Sequence, residues 1–307
     1  MLIFSSVIIL ILAVFLGICY WAYDYSFKTD KSRQATEYDV PDVVYKPKVM
    51  DNILILLNTP FEFVNITSFD GLRLCARYYH FRDGAPVAII MHGYRSNYCR
   101  DGNGGFKILR SMGFNILMPD QRAHGKSEGR VISFGINERR DCLGWVKYLK
   151  NRFGKDISVV LVGVSMGAAT VMMASDIVPK ENVKAIVADC GYTSSKQIIR
   201  HVSRKMHLPA GAGYFFAKMG ARIFARLDTE EYTCPDALKN TKIPVLFIHG
   251  EADGFVPCGM SKMCYEACAS YKEIFTVPRA THATSYYLDT EGYTDKVCKF
   301  LKKFVKF

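Results

Sequence analysis

The sequence predicts an α/β fold: a mostly parallel central sheet with helices on both faces and a small helical cap, preceded by one apolar helix. Three observations carry that expectation. From residue 59 onward, short runs rich in Val, Ile and Leu alternate with helix-length segments, as buried parallel strands and their crossovers do. At 159–169, Val-Val-Leu-Val-Gly-Val-Ser-Met-Gly-Ala-Ala, a β-branched run turns directly into a small-residue helix. Residues 2–21 are almost entirely apolar, with Ser5 and Ser6 as their polar members.

That first stretch is long enough to span a bilayer, since a helix rising about 1.5 Å per residue covers the roughly 30 Å hydrocarbon layer in about 20 residues. Residues 1–22 are therefore read as a single-pass transmembrane anchor. A cleaved signal peptide is the competing reading, against which stand the lack of Lys or Arg before the run, its length, and the lack of an A-x-A-like site after it. Leu16-Gly17-Ile18-Cys19 resembles a bacterial lipoprotein box, with Ile18 where a small residue is wanted, so lipidation at Cys19 is a further alternative. Residues 23–58, polar and holding Pro41 and Pro47, read as a linker and lead-in packing segment. Residues 59–307 suit one domain with a full core.

Within that domain, runs at 62–69 and 72–79 joined through Asp70-Gly71 predict an antiparallel hairpin. Five apolar runs follow at 87–91, 115–118, 158–162, 185–188 and 245–248, and a sixth at 273–277. Val297, Phe300, Leu301, Phe304 and Val305 then recur with helical spacing, predicting a C-terminal helix. The interval between 188 and 245 is too long for a single crossover. Its two helix-like stretches, 195–206 and 214–227, predict a cap over about 191–241, above the strands' carboxyl ends where such sheets bind ligands.

Composition excludes several classes of function. The formal net charge is +11, yet Lys and Arg are dispersed and no helix-turn-helix, zinc-finger or RNA-recognition signature appears, so no nucleic-acid partner is expected. A positive domain tethered beside anionic lipid is the simpler reading. The ten cysteines are scattered through a chain too large to need a disulfide framework. Cys258, Cys264 and Cys268 cluster near one helix but form no C-x-x-C pair, and no metal or other cofactor is expected.

Chemistry concentrates at the strand-to-helix junction. Gly163-Val164-Ser165-Met166-Gly167 puts a serine between glycines on a sharp turn, which makes Ser165 the candidate nucleophile and the backbone N–H of Met166 a candidate oxyanion donor. Gly125-Lys126-Ser127-Glu128-Gly129 has the same spelling, but charged residues flank Ser127 and six residues separate it from the preceding run, so it reads as a solvated loop. A serine hydroxyl needs a base and a carboxylate to orient that base. His282 lies in the loop after the last run, and Asp253 in the turn after 245–248. Asp189, ending the run before the cap, is the rival carboxylate. The other six histidines sit in turns, in the cap or at the hairpin end. Tyr94, after His92-Gly93, is positioned to give a second oxyanion N–H.

Together, His92-Gly93-Tyr94, the 120–129 segment, the serine junction, Asp253-Gly254-Phe255-Val256-Pro257 and His282 resemble the α/β-hydrolase superfamily, with the nearest resemblance to bacterial serine aminopeptidase-like and cinnamoyl-esterase-like hydrolases. The resemblance covers residues 60–307 and implies the α/β-hydrolase fold, a Ser165, Asp253, His282 triad, and a structural role for the 120–129 loop. It does not cover the apolar segment.

The expected function is a membrane-anchored serine hydrolase that cleaves a small-molecule carboxylic ester or thioester through an acyl-enzyme. A serine aminopeptidase is one alternative. It is disfavoured because Lys196, Arg200, Arg204, Lys205, Lys218, Arg222 and Arg226 put only basic charge on that stretch of the cap, where a free amino terminus calls for carboxylates. A non-catalytic binding module on the same fold is another. Tyr214, Phe215, Phe216, Met219 and Phe224 are candidate acyl-pocket residues, with cap packing as their plainer use. Lys28, Lys31, Arg33, Lys46 and Lys48 follow the apolar segment and predict a single-pass membrane protein whose catalytic domain faces the cytoplasm.

Overall fold

The computed structural model describes residues 2–36, 39 and 44–306; Met1, Phe307 and the linker residue Pro41 lie outside the described residues. An eight-stranded sheet with spatial order β1-β2-β4-β3-β5-β6-β7-β8 organises the chain. Its strands are β1 (Glu62–Thr67), β2 (Arg73–Tyr79), β3 (Val87–Met91), β4 (Asn115–Pro119), β5 (Val159–Val164), β6 (Val183–Asp189), β7 (Val245–Gly250) and β8 (Lys272–Val277). The expected hairpin is present: β1 pairs antiparallel with β2 and β2 antiparallel with β4, while β4 to β8 run parallel. Strands β3, β4, β5 and β7 are buried along their whole length, which explains why they read as continuous apolar runs rather than alternating ones.

The helices are α1 (Leu2–Ser26), α2 (Lys46–Leu57), α3 (Tyr98–Ser111), α4 (Glu138–Phe153), α5 (Met166–Ala174), α6 (Ser195–Lys205), α7 (Ala210–Ala225), α8 (Cys234–Asn240), α9 (Cys258–Ala267), α10 (Ser285–Leu288) and α11 (Thr290–Lys302). One core layer joins α4, α5 and the cap helices to the sheet around Trp145, Leu161, Met172 and Phe247. The opposite layer packs α2, α3 and α11 around Phe106, Ile116, Leu246 and Phe300. The lead-in segment thus contains a working helix: α2 buries Val49, Ile53 and Leu56. The cap consists of α6 and α7, close to the two stretches expected.

Helix α1 departs from a simple tether. It continues to Ser26, and residues Phe4–Ser26 are long and apolar enough to cross a membrane by length and composition. Residues from Phe4 to Ile18 expose most of their apolar side chains, but Cys19, Ala22, Tyr23 and Phe27 are buried against the domain. The chain beyond α1 stays attached, with Thr29 N–H donating to the Arg130 carbonyl at 3.0 Å and Ile132 N–H to the Phe27 carbonyl at 2.8 Å.

Candidate active site

Ser165 stands between β5 and α5 with φ 56° and ψ −113°, a conformation rare for a residue with a side chain. Holding it there costs about 1–3 kcal/mol, so the surroundings must enforce it. They do so by close approach: a Cβ on Gly163 would overlap the Gly167 backbone, and one on Gly167 would overlap the Met91 carbonyl. Ser165 N–H donates to the Asp189 carbonyl at 2.8 Å, tying the turn to β6.

The structure brings Ser165, His282 and Asp253 into one line. His282 Nε2 lies 3.0 Å from Ser165 Oγ, and His282 Nδ1 lies 2.7 Å from Asp253 Oδ2. Asp253 is buried, and its Oδ1 accepts from the N–H groups of Phe255 and Val256, both at 2.8 Å. Burial alone would raise its pKa, but His249, His282 and the Val256 N–H hold the carboxyl well below the usual carboxylate range. His249 Nε2 is 3.2 Å from the same Oδ2. This second imidazole was not singled out by sequence reasoning, since its partner lies across a turn.

Asp189, the rival carboxylate, is set apart. Its Oδ2 accepts from the Tyr293 hydroxyl at 3.0 Å, its Oδ1 has no partner, and burial pushes its pKa up to about 6. Cys190, Asp253 and His282 bring one ligand atom each within 4.8 Å of one another, but the Asp253 and His282 atoms are engaged by each other. Burial pushes the Cys190 thiol well above its ordinary value, so these residues do not make a ready metal centre.

Tyr94 and Met166 flank Ser165, and neither backbone N–H has a hydrogen-bond partner among the described residues. The Tyr94 loop rests on two buried histidines. His92 Nε2 accepts from the Gln121 N–H at 3.1 Å, and His124 Nε2 accepts from the Arg95 N–H at 3.0 Å. Burial lowers their pKa values to about 4 and about 3, which keeps both imidazoles neutral acceptors. Sequence reading treated them as turn histidines. The residues they serve lie in other loops, which local pattern does not reveal.

The loop holding Ser127 is solvated as expected at Lys126 and Glu128, both exposed, while the Ser127 hydroxyl is tied to neighbouring backbone. Ser127 Oγ donates to the Asp120 carbonyl at 2.5 Å and accepts from the Cys75 N–H at 2.9 Å. Beside it, buried Arg122 binds both oxygens of Asp141, at 2.6 and 2.7 Å, and reaches Asp70. Arg122 and Asp141 are therefore structural ties, and Ser127 has no histidine partner among the described residues.

Two cavities meet at Ser165. One, of about 630 Å³, is bordered by Ser96, Arg100, Asp101, Lys205, His282 and Tyr287. The other, of about 160 Å³, is apolar and lined by Trp21, Ala22 and Tyr25 of α1, Ile199 and Val202 of α6, and Ala217 of α7. The aromatic residues proposed for an acyl pocket do not line it. Phe215 and Phe216 pack on Phe15 of α1, Phe224 packs on Tyr20 and Tyr23, and Tyr214 bonds to Thr229. Nor does the basic stretch of the cap face the site as a block. Lys196 and Lys218 pair with Glu230, Arg222 pairs with Asp228, and of the seven residues Lys205 alone borders either cavity.

Comparison with known proteins agrees with this fold. Residues 102–219 match the alpha/beta hydrolase fold family. The chain is 27% identical to protein YqkD of Bacillus subtilis over 224 residues, 71% of this chain and 72% of that one. It is 23% identical to the lysophosphatidylserine lipase ABHD12 of Danio rerio over 199 residues, 63% of this chain and half of the relative. Among solved structures, an esterase of Pyrococcus furiosus superposes with a TM-score of 0.68 at 24% identity, covering 82% of this chain and 94% of that one. At that identity the likeness establishes the fold. The order of the sheet, the turn at Ser165 and these matches show that the chain has the α/β-hydrolase fold.

Proposed function

We propose that the protein is a membrane-anchored serine hydrolase that cleaves a carboxylic ester or thioester through an acyl-enzyme. The observation that carries the reading is the hydrogen-bonded line from Asp253 through His282 to Ser165, ending on a positive-φ serine at the seam of an apolar and a polar cavity. In this mechanism His282 Nε2 takes the proton as Ser165 Oγ attacks the acyl carbon. Asp253 orients the imidazole and stabilises its cationic form, and the N–H groups of Tyr94 and Met166 bind the oxyanion. The leaving alcohol or thiol departs with the proton held by His282. Water then attacks the acyl-serine with His282 again as base, releasing the acid and restoring Ser165.

An amphiphilic ester fits the two cavities, with its acyl part on the apolar side and its leaving group beside Arg100 and Lys205. Asp101 is the acidic side chain bordering the polar cavity, and its Oδ2 already accepts the Gly93 N–H at 2.6 Å, which disfavours the aminopeptidase alternative. The exposed apolar surface from Phe4 to Ile18 supports residence in a bilayer.

The test is a screen of the full chain in detergent across p-nitrophenyl esters, acyl thioesters and aminoacyl anilides, with Ser165→Ala as control. Faster turnover of esters or thioesters than of anilides is expected. Preference for anilides replaces this reading with the aminopeptidase, and absence of both turnover and reaction with a serine-directed probe replaces it with the binding module.

A further inference from the structure

Helix α1 is joined to the domain by more than a tether requires. Gly220 of α7 lies so close to α1 that a Cβ there would overlap the Cys19 carbonyl, so the two helices meet backbone to backbone. Aromatic contacts extend the seam in both directions, Phe15 with Phe216 at 5.9 Å and Tyr20 with Phe224 at 5.2 Å between ring centres. The last carbonyls of α1, which have no partner within the helix, are held by the loop that carries the candidate oxyanion donor. The Tyr94 hydroxyl donates to the Ser26 carbonyl at 3.0 Å, and Arg95 Nη2 donates to the carbonyls of Tyr25 at 2.8 Å and Lys28 at 2.9 Å. A guanidinium at a helix C-terminus also meets the negative end of its dipole. Between these fixed points, Trp21, Ala22 and Tyr25 face the apolar cavity that reaches Ser165.

We infer that the last two turns of α1 form one wall of the acyl-binding subsite, and that Trp21, Ala22 and Tyr25 set the acyl-chain length the site accepts. The inference rests on the reading of Ser165 as the acylated nucleophile. The apolar segment is then part of the specificity machinery as well as an anchor. The cavity's size suits that role, since an apolar space of about 150 Å³ stays dry and takes up a molecule the size of benzene. Burial of each methylene there is worth about fourfold in kcat/KM until the space is full.

The experiment uses the full chain in detergent and p-nitrophenyl esters from two to twelve carbons, reading the ratio of kcat/KM for octanoate to that for acetate. Because both rates come from one preparation, a partly inactive sample leaves the ratio unmoved. Ala22→Phe fills the cavity and is expected to lower the ratio at least tenfold and shift the optimum to shorter chains. Trp21→Ala opens the rim and is expected to shift the optimum to longer chains. Trp21 is 52% exposed, so this variant decides the matter if Ala22→Phe does not fold. A ratio within twofold of wild type in the variants that turn over overturns the inference while leaving the esterase reading intact. A wild-type chain that hydrolyses no ester overturns the esterase reading itself.

Discussion

His282 reaches Ser165 across 117 residues of sequence, with its Nε2 3.0 Å from the serine hydroxyl. The contact exists because β5 is a central strand and the loop after β8 folds back over the sheet's carboxyl edge. A fluorophosphonate probe should accordingly label Ser165 and leave Ser127 untouched, as peptide mass spectrometry will report. Ser165→Ala and His282→Ala should each lower kcat by on the order of 10⁴ or more, and the double variant little further, because the pair acts as one unit. Label on Ser127 or full activity in Ser165→Ala would remove the assignment.

The two carboxylates near the site should separate cleanly. Asp253→Asn is expected to lose most activity, while Asp189→Asn keeps at least a tenth, since only Asp253 contacts His282. Asp189 also makes a stability prediction. Its folded pKa of about 6 lies above the ordinary carboxyl value, so its favourable contribution is present at pH 4 and lost as pH rises through 6. Asp189→Asn should therefore gain on wild type by on the order of 2 kcal/mol between pH 4 and pH 7.5 in denaturant titrations. A constant difference across that range would contradict the buried, ionisable carboxyl.

Buried His92 and His124 act with the opposite sign. Their folded pKa values, about 4 and about 3, lie below the ordinary imidazole value, so the stability they contribute is complete above it and declines as pH falls. The stability gap between wild type and His124→Gln should be widest at pH 7 and narrow steadily toward pH 4. Because His124 holds the Arg95 N–H beside Tyr94, the variant should also lower kcat/KM about tenfold on short and long esters alike. An effect confined to one chain length would place His124 in the acyl subsite instead.

Asp253, held well below the carboxylate range, should put no break in the pH profile of ester hydrolysis above pH 4. A break above pH 4 that Asp253→Asn abolishes, with the chemical step shown to limit the rate, would contradict the ionised state given to Asp253.

Membrane orientation follows from charge. On the proposed membrane-anchored reading, Lys28, Lys31, Arg33, Lys46 and Lys48 on the domain side of α1 predict that the domain faces the cytoplasm. Protease added to intact cells should spare the domain and digest it after permeabilisation. Digestion from outside would reverse the orientation and make Asn65-Ile66-Thr67 a candidate glycosylation site in a eukaryotic host.

The sequence by itself determined the features that local chemistry encodes. Buried parallel strands need apolar residues on both faces, so β3 and β7 were readable almost to the residue. Ser165 was readable as a candidate because only small neighbours permit so abrupt a strand-to-helix turn, and His282 and Asp253 as its candidate partners because chain order after the last strands narrows the choice; the fold brings the three side chains together. Tertiary structure decided what depends on residues distant in sequence. Phe215, Phe216 and Phe224 form an apolar helical pattern, but that pattern does not say whether they face a substrate or α1; packing turned them onto α1. The buried pair of Arg122 and Asp141, 19 residues apart in sequence, is likewise invisible to local pattern. Residues 2–21 read as an isolated span because hydropathy measures transfer into any apolar surroundings, lipid or protein alike. Only the fold places Trp21, Ala22 and Tyr25 against the cavity at Ser165.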